Sequence, residues 1–483
     1  MIYLLFLFSG ISGLIYQVIW VREFGNVFGN TIHSASLVVA VFMLGLGTGS
    51  YLVGSWADRR YAAQPDSLLR AYGYVELVIA FLGLVVAASL PHLGTLSALV
   101  STYSRESSGW YALSATSYLA RGAAAVVLLT PITILMGGTL TLLVRHLVRQ
   151  DLQLGGWRIA LLYAVNTAGA ALGCALTDFV LVPAYGLFET QLFAVFFNVV
   201  AGVGALLLAG RTAPPVVQDS TSTRRRRRAS EAVTPVPDRA VPADRDAAAV
   251  AWTGIALVLT GVAAMGMEIL WFRHFTILLG GFRAVFSLLL TVILVGIGVG
   301  SLAGGAACRR TGMPAVWFMV AQALFVVTTL LGFAIADVRT IDEVINRLGG
   351  SEVQAAGANV AGPWAEIWFN ATPMLTEVVV PALLMGFSFP LANAVIQRTE
   401  QLVGRRAGML YLANTAGALV GSLVAGFILL PMLGLQLSAT ILMTIALLAV
   451  VPLYLATRVP SPEPRTPSPG SRATIAFVTS LLV

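Results

Sequence analysis

The chain of 483 residues is 58% hydrophobic and only 11% charged, with a formal net charge of +7. A soluble domain carries about 25% charged residues, so this surface cannot be covered for water, and a soluble enzyme and a disordered chain are both excluded. All 29 basic residues are arginine and gather in a few loops, a pattern of membrane topology rather than a nucleic-acid footprint, so no nucleic-acid partner is expected.

Apolar stretches follow at roughly 2–21, 33–55, 71–92, 116–143, 158–183, 188–209, 250–272, 284–306, 313–336, 373–396, 407–430 and 436–457. At 1.5 Å per residue, each is long enough to cross about 30 Å of hydrocarbon. The sequence therefore predicts an all-α integral membrane protein of about 12 transmembrane helices. The first stretch opens at Met1 with no basic leader or small-residue cleavage site, and is read as a retained helix. A cytoplasmic N-terminus puts 22 of the 29 arginines on the cytoplasmic side. Both termini are expected there, in a bacterial-type inner membrane, with the lipid bilayer as the main partner.

Residues 211–249, rich in Pro, Ser, Thr, Asp and Arg, form a linker that builds no core. Its Arg224–Arg228 run is read as a topology anchor rather than a lipid-headgroup site. The external segments 93–115 and 337–372 carry Trp110, Trp364 and Trp368, which suit the membrane surface. The tail, 458–483, ends in an apolar run from Ala473 that as a helix would cover half a bilayer, and is read as either the start of a thirteenth helix cut short or a short interfacial anchor.

The strongest organisational signal is an internal repeat. Trp20-Val21-Arg22 recurs as Trp271-Phe272-Arg273, and the same offset of 251 carries Gly45, Gly47, Gly49 and Ser50 onto Gly296, Gly298, Gly300 and Ser301. Leu135-Met136-Gly137 recurs as Leu384-Met385-Gly386. Tyr163-x-x-Asn166-Thr167-Ala168-Gly169-Ala170 recurs, at an offset of 248, as Tyr411-x-x-Asn414-Thr415-Ala416-Gly417-Ala418. The copies, 1–210 and 250–457, hold six spans each; an even number makes them parallel. Two parallel six-helix units are the organisation of major-facilitator transporters.

The opening Ser12-Gly13-Leu14-Ile15-Tyr16-Gln17-Val18-Ile19-Trp20-Val21-Arg22, the second span ending in Ala57-Asp58-Arg59-Arg60, and the duplicated Tyr-x-x-Asn-Thr-Ala-Gly-Ala motif carry a further resemblance. Across residues 5–457 the chain resembles the membrane portion of the fused transporter/spermidine-synthase family. That resemblance implies a major-facilitator-like unit followed by a cytoplasmic aminopropyltransferase-like domain. The soluble domain is absent here, so the chain is expected to be a truncated product or a variant without it, and no enzymatic activity is expected. The solute class implied is polyamine; the alternative is a non-transporting scaffold for a soluble synthase-like partner or a membrane complex.

No catalytic constellation, metal site or cofactor is expected. Cys174, Cys308 and four scattered histidines make no ligand spacing. The glycine triplets at 45–49 and 296–300 lie inside apolar spans, where they serve helix packing and not a nucleotide loop. Ionisable groups within spans are the functional candidates: Glu76, Asp178, Glu268, Glu377 and Arg121. Gln17, Arg121, Glu268 and Glu377 fall within about two turns of the external ends of spans 1, 4, 7 and 10, which the major-facilitator resemblance makes cavity helices. They are expected to form a solute and proton pathway, with Trp20 and Trp271 as aromatic walls able to hold an ammonium. The competing arrangement is two static ion pairs, Glu377 with Arg121 and Glu268 with Arg273. Asn166 and Asn414 are read as helix braces or pathway contacts, and Asp58, Arg59 and Arg60 as a gate loop or topology anchor. Glu76 is expected to partner that loop, and Asp178 to reach the headgroups.

Overall fold

The computed structural model describes residues 1–28, 31–64, 67–100, 102–105, 111–147, 152–211, 243–279, 285–335, 363–396 and 403–458. Arg224–Arg228, Trp110, the side chain of Trp364 and the apolar tail lie outside them. The first copy contains α1 (Ile2–Phe28), α2 (Thr31–Ala63), α3 (Ser67–Ser89), α4 (Ala115–Leu147), α5 (Leu152–Leu176) and α6 (Val182–Arg211). The second contains α7 (Ala243–Leu279), α8 (Val285–Thr311), α9 (Pro314–Ile335), α10 (Pro363–Ile396), α11 (Val403–Val424) and α12 (Leu430–Leu448), continued by Val450–Arg458. Between α3 and α4 a short helix, Leu93–Val100, leads to a small antiparallel ribbon, β1 (Tyr103–Arg105) with β2 (Tyr111–Leu113), in which Tyr103 faces Leu113.

Ten helical stretches are long and apolar enough to cross a membrane, and two of them, Trp157–Gly210 and Arg405–Arg458, run 54 residues each. At 1.5 Å per residue that is about 81 Å, more than twice the hydrocarbon thickness. Each is broken by a glycine in the left-handed region, Gly186 at φ 86° and Gly434 at φ 69°. A side chain would resist this conformation, and glycine permits it. The described helices thus suffice for twelve crossings, with Met1 and Arg458 at one face, called here the terminal face; the other is the distal face. Ahead of each glycine the helix widens into a π turn, Thr177–Leu181 and Ala425–Leu429, at repeat-equivalent positions.

Lipid tails are as apolar as leucine, so helices in a bilayer associate through close van der Waals packing rather than a hydrophobic drive. The sequence meets that need with glycine. A Cβ on Gly10 would strike the Asn166 carbonyl, and one on Gly261 the equivalent Asn414 carbonyl; Gly49 meets the Ile134 carbonyl, and Gly300 the Leu383 carbonyl. These contacts press α1 on α5 and α2 on α4, and in the second copy α7 on α11 and α8 on α10. Between the copies α2 packs on α11 and α5 on α8, again an equivalent pair of seams. Large apolar side chains such as Phe81, Val127, Leu207 and Met432 are exposed on the outside, where a bilayer covers them.

Gly49→Val should lower the thermal midpoint of the detergent-purified protein, through overpacking of roughly 1–3 kcal/mol. Gly13→Ala, where a Cβ would meet nothing, should leave the midpoint unchanged; equal losses would show that close backbone approach is not what holds α2 to α4.

Candidate functional site

Where the copies meet, α1, α2, α4, α5, α7, α8, α10 and α11 line a partly open cavity of about 240 Å³. Gln17 on α1 and Glu268 on α7 occupy equivalent positions in the two copies, and both border it. They are 4% and 7% exposed, and no hydrogen bond or ion pair reaches either side chain among the described residues. Glu268 is the one carboxylate in the described lining, which contains no arginine or histidine. Methionines 43, 136, 265 and 385 form much of the remaining wall, and Phe389 stands between Tyr163 and Tyr411, with ring centroids 5.2 and 5.5 Å away. Met136 and Met385 belong to the repeated Leu-Met-Gly motif, which by sequence served only to align the copies; nothing in the sequence singled out Phe389.

Four polar residues at one depth were expected, and the structure separates them. α1 and α7 run about 16 Å beyond Gln17 and Glu268, to Phe28 and Leu279, so these two lie about three turns from the helix ends rather than within two. Hydropathy stops the spans at Arg22 and Arg273, but the helices continue because Arg22 is neutralised by Asp178 at 2.8 Å and Arg273 is exposed. Arg121 lies outside the cavity lining; it donates to the Phe28 carbonyl at 3.2 Å and sits over that ring at 5.2 Å, a cation at the carbonyl end of α1, where the helix dipole favours it. Glu377 is also outside the lining and pairs with His274 Nε2 at 3.3 Å, not with Arg121. Trp20 and Trp271 are fully buried in the core rather than walling the cavity. Trp20 stacks on Tyr16 at 5.4 Å, behind Phe42, which does line it.

Asn166 and Asn414 both border the cavity. Asn166 donates to the Phe6 carbonyl at 3.3 Å and so braces α5 to α1 within one copy. Asn414 has no side-chain hydrogen bond among the described residues.

The polar side chains beyond the cavity hold the seams. Asp58 pairs with Arg145 of α4 at 2.9 Å and accepts the Arg405 backbone N–H at 2.7 Å, joining the copies near the terminal face. Arg59 and Arg60 are exposed, with Arg60 Nε donating to Ser67 Oγ at 3.2 Å. At the equivalent point of the other seam, Arg309 lies over the Trp157 ring at 5.4 Å. Toward the distal face Asp178 is buried, not at the headgroups: it holds Arg22 and also accepts from Ser287 Oγ of α8 at 2.5 Å. Cys174 Sγ donates to the Ser287 carbonyl at 3.3 Å. The counterpart of Asp178 in the second copy is Gly426, set against Ser36; there Ser422 Oγ donates to the Ser36 carbonyl at 2.8 Å. Glu76 is wholly buried and accepts from Asn198 of α6 at 2.7 Å, away from the Asp58 loop. α3 starts earlier than its apolar stretch, which carries Glu76 deeper into the membrane.

No family model matches the chain. A stretch of 118 residues, 23% of the chain, is 34% identical to polyamine aminopropyltransferase 2 of Streptomyces coelicolor, of which it covers 21%. Among solved structures, 94% of the chain matches 98% of a bacterial homologue of the iron transporter ferroportin in an outward-facing state, with a TM-score of 0.57 at 14% identity. FucP, a Major Facilitator Superfamily transporter in the outward conformation, gives 0.55 at 12% identity over 94% of this chain and 97% of its own. A human organic anion transporter gives 0.53 at 14%, over 94% and 97%. The fold is the major-facilitator one, two parallel six-helix copies around a central cavity.

Proposed function

We propose that the protein is a secondary transporter that carries a small cationic amine by alternating access, with its terminal face in the cytoplasm and its helices in a bacterial-type inner membrane. The observation that carries this reading is Glu268, a buried carboxylate that borders the cavity between the copies without a hydrogen-bond or ion-pair partner among the described residues. A charge withdrawn from water is costly until a counter-charge meets it, and an ammonium or a coupling proton supplies one. The carbonyl oxygens of the Gln17 and Asn414 amides can accept from an ammonium N–H. Asp58 and Asp178 hold the copies together near opposite faces, and each must let go for the cavity to open on its own side. The arginine distribution supports the orientation. Within the amine class, the resemblance to the fused family and the short aminopropyltransferase match favour a polyamine-like solute. The same match favours one second reading, a scaffold that holds a synthase-like enzyme at the membrane without moving solute.

Proteoliposomes should take up radiolabelled aliphatic amines faster than protein-free liposomes. Glu268→Gln should cut that rate at least about tenfold, as expected when one side of a buried charge pair is lost, with its elution profile kept. Equal flux with and without protein rejects transport and leaves the scaffold.

Asp178→Asn, in a Cys308→Ser background, removes the carboxylate charge that meets Arg22 at 2.8 Å and receives the Ser287 hydroxyl. Loss of about 1.4 kcal/mol at this seam would speed alkylation of the buried Cys174 about tenfold. An unchanged rate would mean that Asp178 does not hold the distal seam shut.

A further inference from the structure

Resting on the reading of this cavity as the solute site, we propose that it is built for a solute with a single positive charge on an apolar body, an aliphatic ammonium, and that it discriminates against amines carrying two or more charges. This narrows the amine class against the direction the family resemblance suggests, and the ground is charge inventory. Glu268 is the one acidic side chain in the described lining. A second ammonium held within the same cavity would meet, in the described lining, only amides, hydroxyls, thioethers and apolar or aromatic groups, and a buried charge without a counter-ion is expensive.

The repeat shows why the count is one. The position that holds Glu268 in the second copy holds Gln17 in the first, and both side chains are more than nine-tenths buried, unpartnered among the described residues and bordering the cavity. Two acids there would form a site for two charges; the amide keeps the hydrogen-bonding capacity and removes the charge. Met43, Met136, Met265 and Met385 supply soft, adaptable walls, suited to a methylene chain of variable shape. The cavity, about 240 Å³, is smaller than the roughly 300–1,000 Å³ of drug-sized sites, which favours a short chain. With no arginine or histidine in the described lining, an anion would find Glu268 and no counter-charge.

The test uses the whole chain in lipid nanodiscs, with empty nanodiscs as control, and three probes titrated by calorimetry: hexylammonium, hexane-1,6-diamine and spermidine. The first two differ in charge but hardly in length. Hexylammonium is expected to bind at least about tenfold more tightly than the diamine, and Glu268→Gln to weaken it at least about 30-fold. Gln17→Glu, which adds a second carboxylate across the cavity, should reverse the preference toward the diamine; this gain does not depend on Glu268→Gln folding. Tighter binding of the diamine or spermidine by the wild type overturns the single-charge proposal and leaves amine transport standing. Hexylammonium binding that survives Glu268→Gln overturns the proposal as well. Failure of all three probes to bind the folded wild type overturns both the proposal and the amine reading.

Discussion

Backbone pressed against backbone is the interaction on which this molecule depends. Water offers helices a reason to associate; lipid offers almost none, and what remains is dispersion between surfaces that fit, together with weak Cα–H···O contacts. Glycine lets α1 lie directly on α5 and α2 on α4, and the same contacts recur in α7 on α11 and α8 on α10. Because each contact occurs twice at equivalent residues, the halves take the same shape and meet about a pseudo-twofold axis. The cavity follows from that pairing: α1, α2, α4, α5, α7, α8, α10 and α11 line it, and α3, α6, α9 and α12 contribute nothing to the described lining.

Duplication by itself would make a symmetrical carrier with two equal seams and two equal walls. The polar side chains break that equality at positions where the copies differ. Glu268 stands opposite Gln17, Asp178 corresponds to Gly426, and Asp58 corresponds to Arg309. Arg22 consequently has a carboxylate at 2.8 Å, whereas its counterpart Arg273 is exposed. The shared residues account for the fold, and the unshared ones carry the charge that a solute or a moving seam would meet.

Helix number, parallel repeat and glycine interfaces were legible because they are one-dimensional signals: apolar length, offset and spacing. Depth was not, since a hydropathy boundary falls at the first arginine, while a helix continues wherever that arginine finds a partner or reaches solvent. Direction was harder still. A helix that is apolar all round carries no phase to say which face is inside, so nothing in the sequence separated Gln17, on the cavity, from Trp20, in the core. Partnerships were the least legible. Asp178 meets Ser287 across 109 positions and Glu76 meets Asn198 across 122, and only the packed bundle reveals which neighbour a buried acid has.

The two interfacial aspartates stand at opposite corners. Asp58 fastens α2 to α11 at the end nearer the termini, and Asp178 fastens α5 to α8 at the other. If the copies rock as the transport proposal requires, opening toward either side would break one fastening and spare its diagonal counterpart, about which the copies would turn.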